Sequence, residues 1–179
     1  MIVCSLVLFF VVIGGCAASD ESDDNDSDPL ETIFGIPQDS DIQEAGEEAD
    51  QLRDIYQRGE IDDAKFALLR SIEILWRFLD DERIDRFSNL MRRGLAYDYT
   101  RLCLVYTHLG DKEKANSFLK MAIEAFPVES RPPEYRELAD DELIEKLIEV
   151  VVWIDQENDV RWIQELDEEA IEAFRLDPK

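Results

Sequence analysis

Between Ile84 and Leu109 an apolar residue returns every three or four positions: Ile84, Phe87, Met91, Leu95, Tyr99, Leu102, Tyr106, Leu109. That spacing keeps to one side of a helix, whereas a strand with period two would scatter it over both faces. The spacing predicts one long helix opened by Asp80-Asp81 and running through Gly94, with Gly110 as the residue that ends it. The neighbouring segments follow the same period. Leu52, Ile55 and Tyr56 form a stripe that Gly59 closes. Asp62 and Asp63 open a helix whose inner face is Ala64, Leu68, Ser71, Ile72, Leu75 and Leu79, with Trp76 alongside. A helix from about Lys112 to Ala125 stops before Pro127, and SRPPE at 130–134 reads as a loop. Asp140 or Asp141 then opens a helix marked by Leu143, Leu147, Val150 (or Val151) and Ile154. The block VVVWI at 150–154 has strand propensity, but the period leading into it is helical. It is apolar around much of its circumference, which suits a core or an interface. A short helix over 167–176 completes an all-α reading with no strands.

The chain has 179 residues and a formal charge of −24, from 43 acidic and 19 basic side chains. Residues 17–52 hold 13 acids and no base. Such a chain repels phosphate backbones, so nucleic acid is not an expected partner. A charge-driven grip on anionic lipid is excluded on the same ground. Cys4 and Cys16 flank the first apolar run, and only Cys103 lies in the helical part. No internal disulfide is expected after cleavage at Cys16, and Cys103 reads as a small buried apolar residue.

The run from Ile2 to Gly15 is too short to cross a bilayer as a helix, which takes about 20 residues. It suits the apolar region of an export signal, although only the amino group of Met1 supplies charge before it. The ending Ile13-Gly14-Gly15-Cys16 resembles the lipobox of bacterial lipoproteins. The resemblance implies removal of residues 1–15, lipidation of Cys16 and residence in the cell envelope. Ala17, rather than Asp, after the cysteine implies the outer membrane, facing the periplasm. An uncleaved anchor and an ordinary signal peptide are the alternatives. More than one acyl chain makes such an anchor stable. Residues 16–44 then read as an acidic, self-repelling flexible linker. Asp20, Asp24, Asp26, Asp28 and Glu31 fall near calcium-loop positions, but Ser22 and Asn25 stand where an acid and a glycine belong. A solvated spacer is the preferred reading.

Residues 96–127, AYDYTRLCLVYTHLGDKEKANSFLKMAIEAFP, resemble one complete tetratricopeptide repeat. The signature falls on Tyr99, Leu102, Cys103, Tyr106, Gly110, Ala115, Leu119, Ala122 and Pro127. The small residues among them let two antiparallel helices approach, Tyr and Leu fill the gaps, and Gly and Pro end the helices. A weaker copy runs over 59–75 with Gly59, Ala64, Leu68 and Ser71 in matching places. Ala64 and Ala115 lie 51 residues apart instead of the family's 34, which fits an elongated first helix in the second repeat. The resemblance implies antiparallel helical hairpins of tetratricopeptide-repeat type over 45–127, an α-α superhelix, with helices of 128–179 capping it. It also implies a groove that binds a protein or peptide through Tyr97, Thr100, Leu104, Thr107 and His108. Thr100 and Leu104 do not fit the members that grip a C-terminal carboxylate. The alternative is that the C-terminal helices cover these five residues.

Catalytic signatures are sparse. One histidine, His108, near a helix end, gives no zinc set, and no phosphate loop or nucleophile turn occurs. The acidic pairs sit at helix starts, where capping explains them. The expected function is a non-catalytic adaptor or scaffold of the envelope, without cofactor or metal. A self-associating structural lipoprotein, a homo-oligomer through the helix around Trp153, stands second, and a carboxylate-dependent hydrolase third.

Overall fold

A computed structural model describes residues 40–164, the side chain of Arg86 apart. The signal, Cys16, most of the acidic stretch and the 167–176 helix lie outside the described residues.

Helix α1, Ser40–Arg58, takes in the last five residues of the expected linker, 40–44. Ile42, Ala45, Ala49 and Leu52 follow one another at spacings of three and four and are all buried, so the apolar stripe starts early enough to make residues 40–44 helical. Arg83 clasps Asp41 with two hydrogen bonds, 2.8 and 3.1 Å, and pins that first turn. Helix α2, Ile61–Phe78, returns after a two-residue turn. Gly59 is required there, because a Cβ would lie 2.5 Å from both the Ile55 carbonyl oxygen and the Asp63 Cβ. The inner face of α2 is buried as expected, while Trp76 stays 47 % exposed and donates to the Tyr99 hydroxyl at 2.9 Å.

The long helix expected from Asp80-Asp81 is divided. Residues Glu82–Phe87 form a 3-10 turn with a break at Ile84 (φ −126°, ψ 21°), and α3 runs from Ser88 to His108. Asp81 accounts for the break: its side chain accepts from the Arg83 amide and binds the Arg83 guanidinium, which favours a tight turn over α-helix. Gly110 stands at φ +76°, which an L side chain tolerates poorly, and turns the chain into α4, Lys112–Ala125. The SRPPE loop overlaps two short 3-10 turns, Val128–Ser130 and Pro133–Tyr135. It is tied down by Arg131, which donates to the Phe126 carbonyl at 2.8 Å, and by Ser130, which donates to Asn89 of α3 at 2.9 Å. Helix α5, Asp140–Glu157, includes VVVWI, so the period rather than the propensity decided that block. A four-residue α6, Arg161–Gln164, follows.

Among the described residues every regular element is helical and none is a strand. Successive helices pack as neighbours, α1 on α2, α2 on α3 and α3 on α4, while α5 lies across α3 and α4. Helix α6 returns to α1, where Trp162 meets Tyr56 edge to face at 6.1 Å. Helix α3 is thus surrounded: every residue from Gly94 to Val105 is buried. No described helix is long and apolar enough to cross a membrane.

Candidate functional site

A helix buried on all sides with apolar residues alone would raise no electrostatic question, but α3 carries Asp98 and Arg101 into the interior. Both are at most 3 % exposed. Arg101 meets Asp155 of α5 in a two-pronged pair: Nε donates at 2.9 and 3.2 Å, and Nη2 at 2.7 Å. Its Nη1 donates to Asp98 at 3.1 Å. Tyr56 of α1 donates to Asp155 at 2.6 Å and lays its ring 5.3 Å from the guanidinium. Ser71 of α2 donates to Asp98 at 2.7 Å. Four helices therefore converge on one cation. The fork of Arg suits this task, since it can serve two carboxylates and a ring at once.

Burial dominates the ionisation of these groups. It raises the Asp98 carboxyl above the ordinary range, against the opposing pull of Arg101 and Ser71. It also raises the Tyr56 phenol well above its usual value, with Asp155 adding to the shift. For Arg101 burial works against the charge, but Asp155, Tyr56 and Asp98 outweigh it and hold the guanidinium cationic.

Beside this cluster lies a pocket of about 60 Å³, room for a few waters. Leu52, Ala67, Leu68, Ile154 and Val160 line its walls, and Ser71, Asp98, Arg101, Asp155 and Tyr56 its charged end. Arg53, Gln57 and Asn158 complete it.

The residues expected to bind a partner fare unevenly. Tyr97, Thr100 and Leu104 are buried, at 5, 0 and 2 % exposure. They do not form an open groove, since burial leaves them almost no surface, and α5 packs on α3. Burial raises the Tyr97 phenol above its usual value, and Tyr135 and Glu134, which precede α5, lie near enough to contribute. Thr100 turns back on its own helix and donates to the Ala96 carbonyl at 2.7 Å. Thr107 is half-buried and donates to the Cys103 carbonyl, and His108 is exposed. Of the nine signature residues, Cys103, Ala115 and Leu119 pack together between α3 and α4. Leu102, Cys103, Ala115 and Ala122 have at most 1 % exposure, and Leu119 and Tyr99 are also buried. Tyr106 is partly buried, stacked on Phe118 at 5.3 Å. Pro127 precedes the 3-10 turn that leaves α4.

No family model, curated protein or solved structure matches the chain. The site is therefore read from its own residues. Reading the sequence missed Tyr56, Ser71, Asp98, Arg101 and Asp155 as a group. The available signal was Asp98 and Arg101 three apart in an otherwise apolar and aromatic stretch, together with Asp155 directly after VVVWI. Three charged residues within or directly after apolar helical stretches point to a buried pairing, but nothing in their spacing says that they meet.

Proposed function

We propose that this chain is a membrane-anchored, non-catalytic adaptor or scaffold of the bacterial cell envelope, with helical hairpins of tetratricopeptide-repeat type and a lipid anchor on Cys16. The observation that carries the repeat reading is the α3–α4 hairpin. Its small signature residues Cys103, Ala115 and Ala122 are at most 1 % exposed, and Gly110 makes the turn. The α1–α2 hairpin repeats the device with Ala64, which has no exposed surface. The lipobox and the acidic stretch after it support the anchor and the spacer.

A partner on this reading meets the rim of the pocket between α1 and α5, or the exposed end of α3 at His108, rather than Tyr97, Thr100 and Leu104. Crosslinking from membranes followed by capture should recover a consistent partner, and repeated failure to recover one removes the adaptor reading. Labelling with a palmitate analogue should be lost in Cys16→Ala; equal labelling removes the anchor.

Two other readings each have an observation in their favour. Trp153 is 41 % exposed on the outer side of α5, which suits self-association. A strict monomer in light scattering dismisses it. Two acids, Asp98 and Asp155, line one pocket, which a carboxylate-dependent hydrolase would need. Both are bound to Arg101, and the acceptor positions of Asp155 are all taken by Arg101 and Tyr56, so the two do not form a free acid pair. A volume of about 60 Å³ also leaves no room for a sugar ring between them. The adaptor reading is preferred for those two reasons.

A further inference from the structure

The interior cluster does not balance its charge. Asp98 and Asp155 are two carboxylates, and Arg101 is the one cation between them. Arg53, the other cation on the pocket wall, is taken by Asp50 at 3.0 Å. Asp155 is saturated by the guanidinium and the Tyr56 hydroxyl. Asp98 is not: each of its oxygens accepts one hydrogen bond, from Arg101 and from Ser71, while a carboxylate has about four acceptor positions. Asp98 lines the pocket, and Leu52, Ala67, Leu68, Ile154 and Val160 give it an aliphatic wall. A ligand that matches must be a cation at its tip and apolar along its length. A lysine side chain has that form, and it commonly lays its methylene stem on apolar surface. Arginine fits less well, because its planar fork is wider and the space beside Asp98 is small.

We propose that this pocket receives a lysine side chain from a partner protein, with its ammonium on Asp98 and its stem along Leu52, Leu68, Ile154 and Val160. The assignment rests on the adaptor reading and names the partner's chemistry. A partner that presents lysine is also the one a chain of charge −24 attracts over distance.

The probe is n-butylammonium, a lysine side chain without its backbone, titrated into the full chain at neutral pH and followed by amide NMR shifts. Saturable shifts at Gln57, Ser71 and Asn158 are expected. n-Butanol, of the same length without the charge, should bind at least tenfold more weakly, and so should n-butylammonium to Asp98→Asn. No saturable shift with n-butylammonium, or equal affinity for butanol, overturns the proposal in the wild-type chain alone, whatever the variant does. Equal affinity of a folded Asp98→Asn chain overturns the role of Asp98. The adaptor reading is judged separately: a wild-type chain that captures no partner on crosslinking removes it whichever way the titration falls.

Discussion

On the side of α3 that meets α4, Cys103, Ala115 and Ala122 let two helices close together, with Leu119 and the stacked pair Tyr106 and Phe118 filling the space around them. On the side that meets α1, α2 and α5, the helices are joined by Arg101, Asp98, Asp155, Tyr56 and Ser71. Both sides are buried to a similar degree. The first gains its stability from removing apolar surface and from close packing, which act without direction. The second depends on geometry: the cost of burying two carboxylates is offset only while the cation they share is in place. The small-residue side should therefore respond to side-chain volume, and the ionic side to loss of that cation.

The largest expected effect follows from removing the shared cation. Arg101→Met leaves Asp98 and Asp155 buried without a counter-ion and should cost about 3–5 kcal/mol in denaturant unfolding. Replacing Asp98, Arg101 and Asp155 together by apolar residues of similar volume should recover much of that loss. If the single change costs less than the triple change, the two sides do not differ as described.

Ala122→Leu tests the small-residue side. Ala122 has no exposed surface, and a larger side chain must push α3 and α4 apart, at about 1–3 kcal/mol. Ala122→Ser should be far milder, because volume rather than chemistry sets the cost there.

Alkaline titration affects both sides, over different ranges. Burial pushes the Cys103 thiol up to about 12, so the fold favours its neutral form. Stability from this group is complete below pH 9, where the unfolded thiol keeps its proton, and declines as pH rises from 9 to about 12. Tyr56 follows the same sign, its contribution declining above pH 10. Each group adds a slope of at most about 1.4 kcal/mol per pH unit. Cys103→Ala should remove the earlier part of the decline, and Tyr56→Phe the later part.

The smallest effect is expected for Asp98→Asn. The amide can still accept from Arg101 and can donate to Ser71, while the excess buried charge disappears. Because burial raises the Asp98 carboxyl, the folded chain binds its proton more tightly than the unfolded one, and this aspartate lowers stability as pH rises above 3.8. The variant should have a melting temperature at pH 7 equal to or slightly above that of the wild type, and should lack that part of the acid dependence. A marked drop at pH 7 would mean that the carboxylate charge itself holds α2 to α3.

The helices were legible because their period is written in single residues. Lys112–Ala125 falls where Asp111, Pro127 and the stripe of Ala115, Leu119 and Ala122 place it. The break at Ile84 was not legible, since the apolar spacing runs straight through it and the cause is a side-chain bond from Asp81. The start of α1 was read too late because the acids around Ile42 masked one buried residue. The buried cluster was hidden for a different reason. Asp98 and Asp155 lie 57 positions apart, and each taken alone is an ordinary charge on a helix.

What the sequence determined by itself is the all-helical class, most helix ends and the small-residue contact of α3 with α4, because these depend on neighbours within a few turns. The tertiary structure alone decided that Tyr97, Thr100 and Leu104 are buried, and that α6 returns to Tyr56. It alone brought two carboxylates to one guanidinium beside a pocket. Helical period states which side of a helix is apolar; it does not state which helix will lie against it, and buried charges acquire their roles only from that choice.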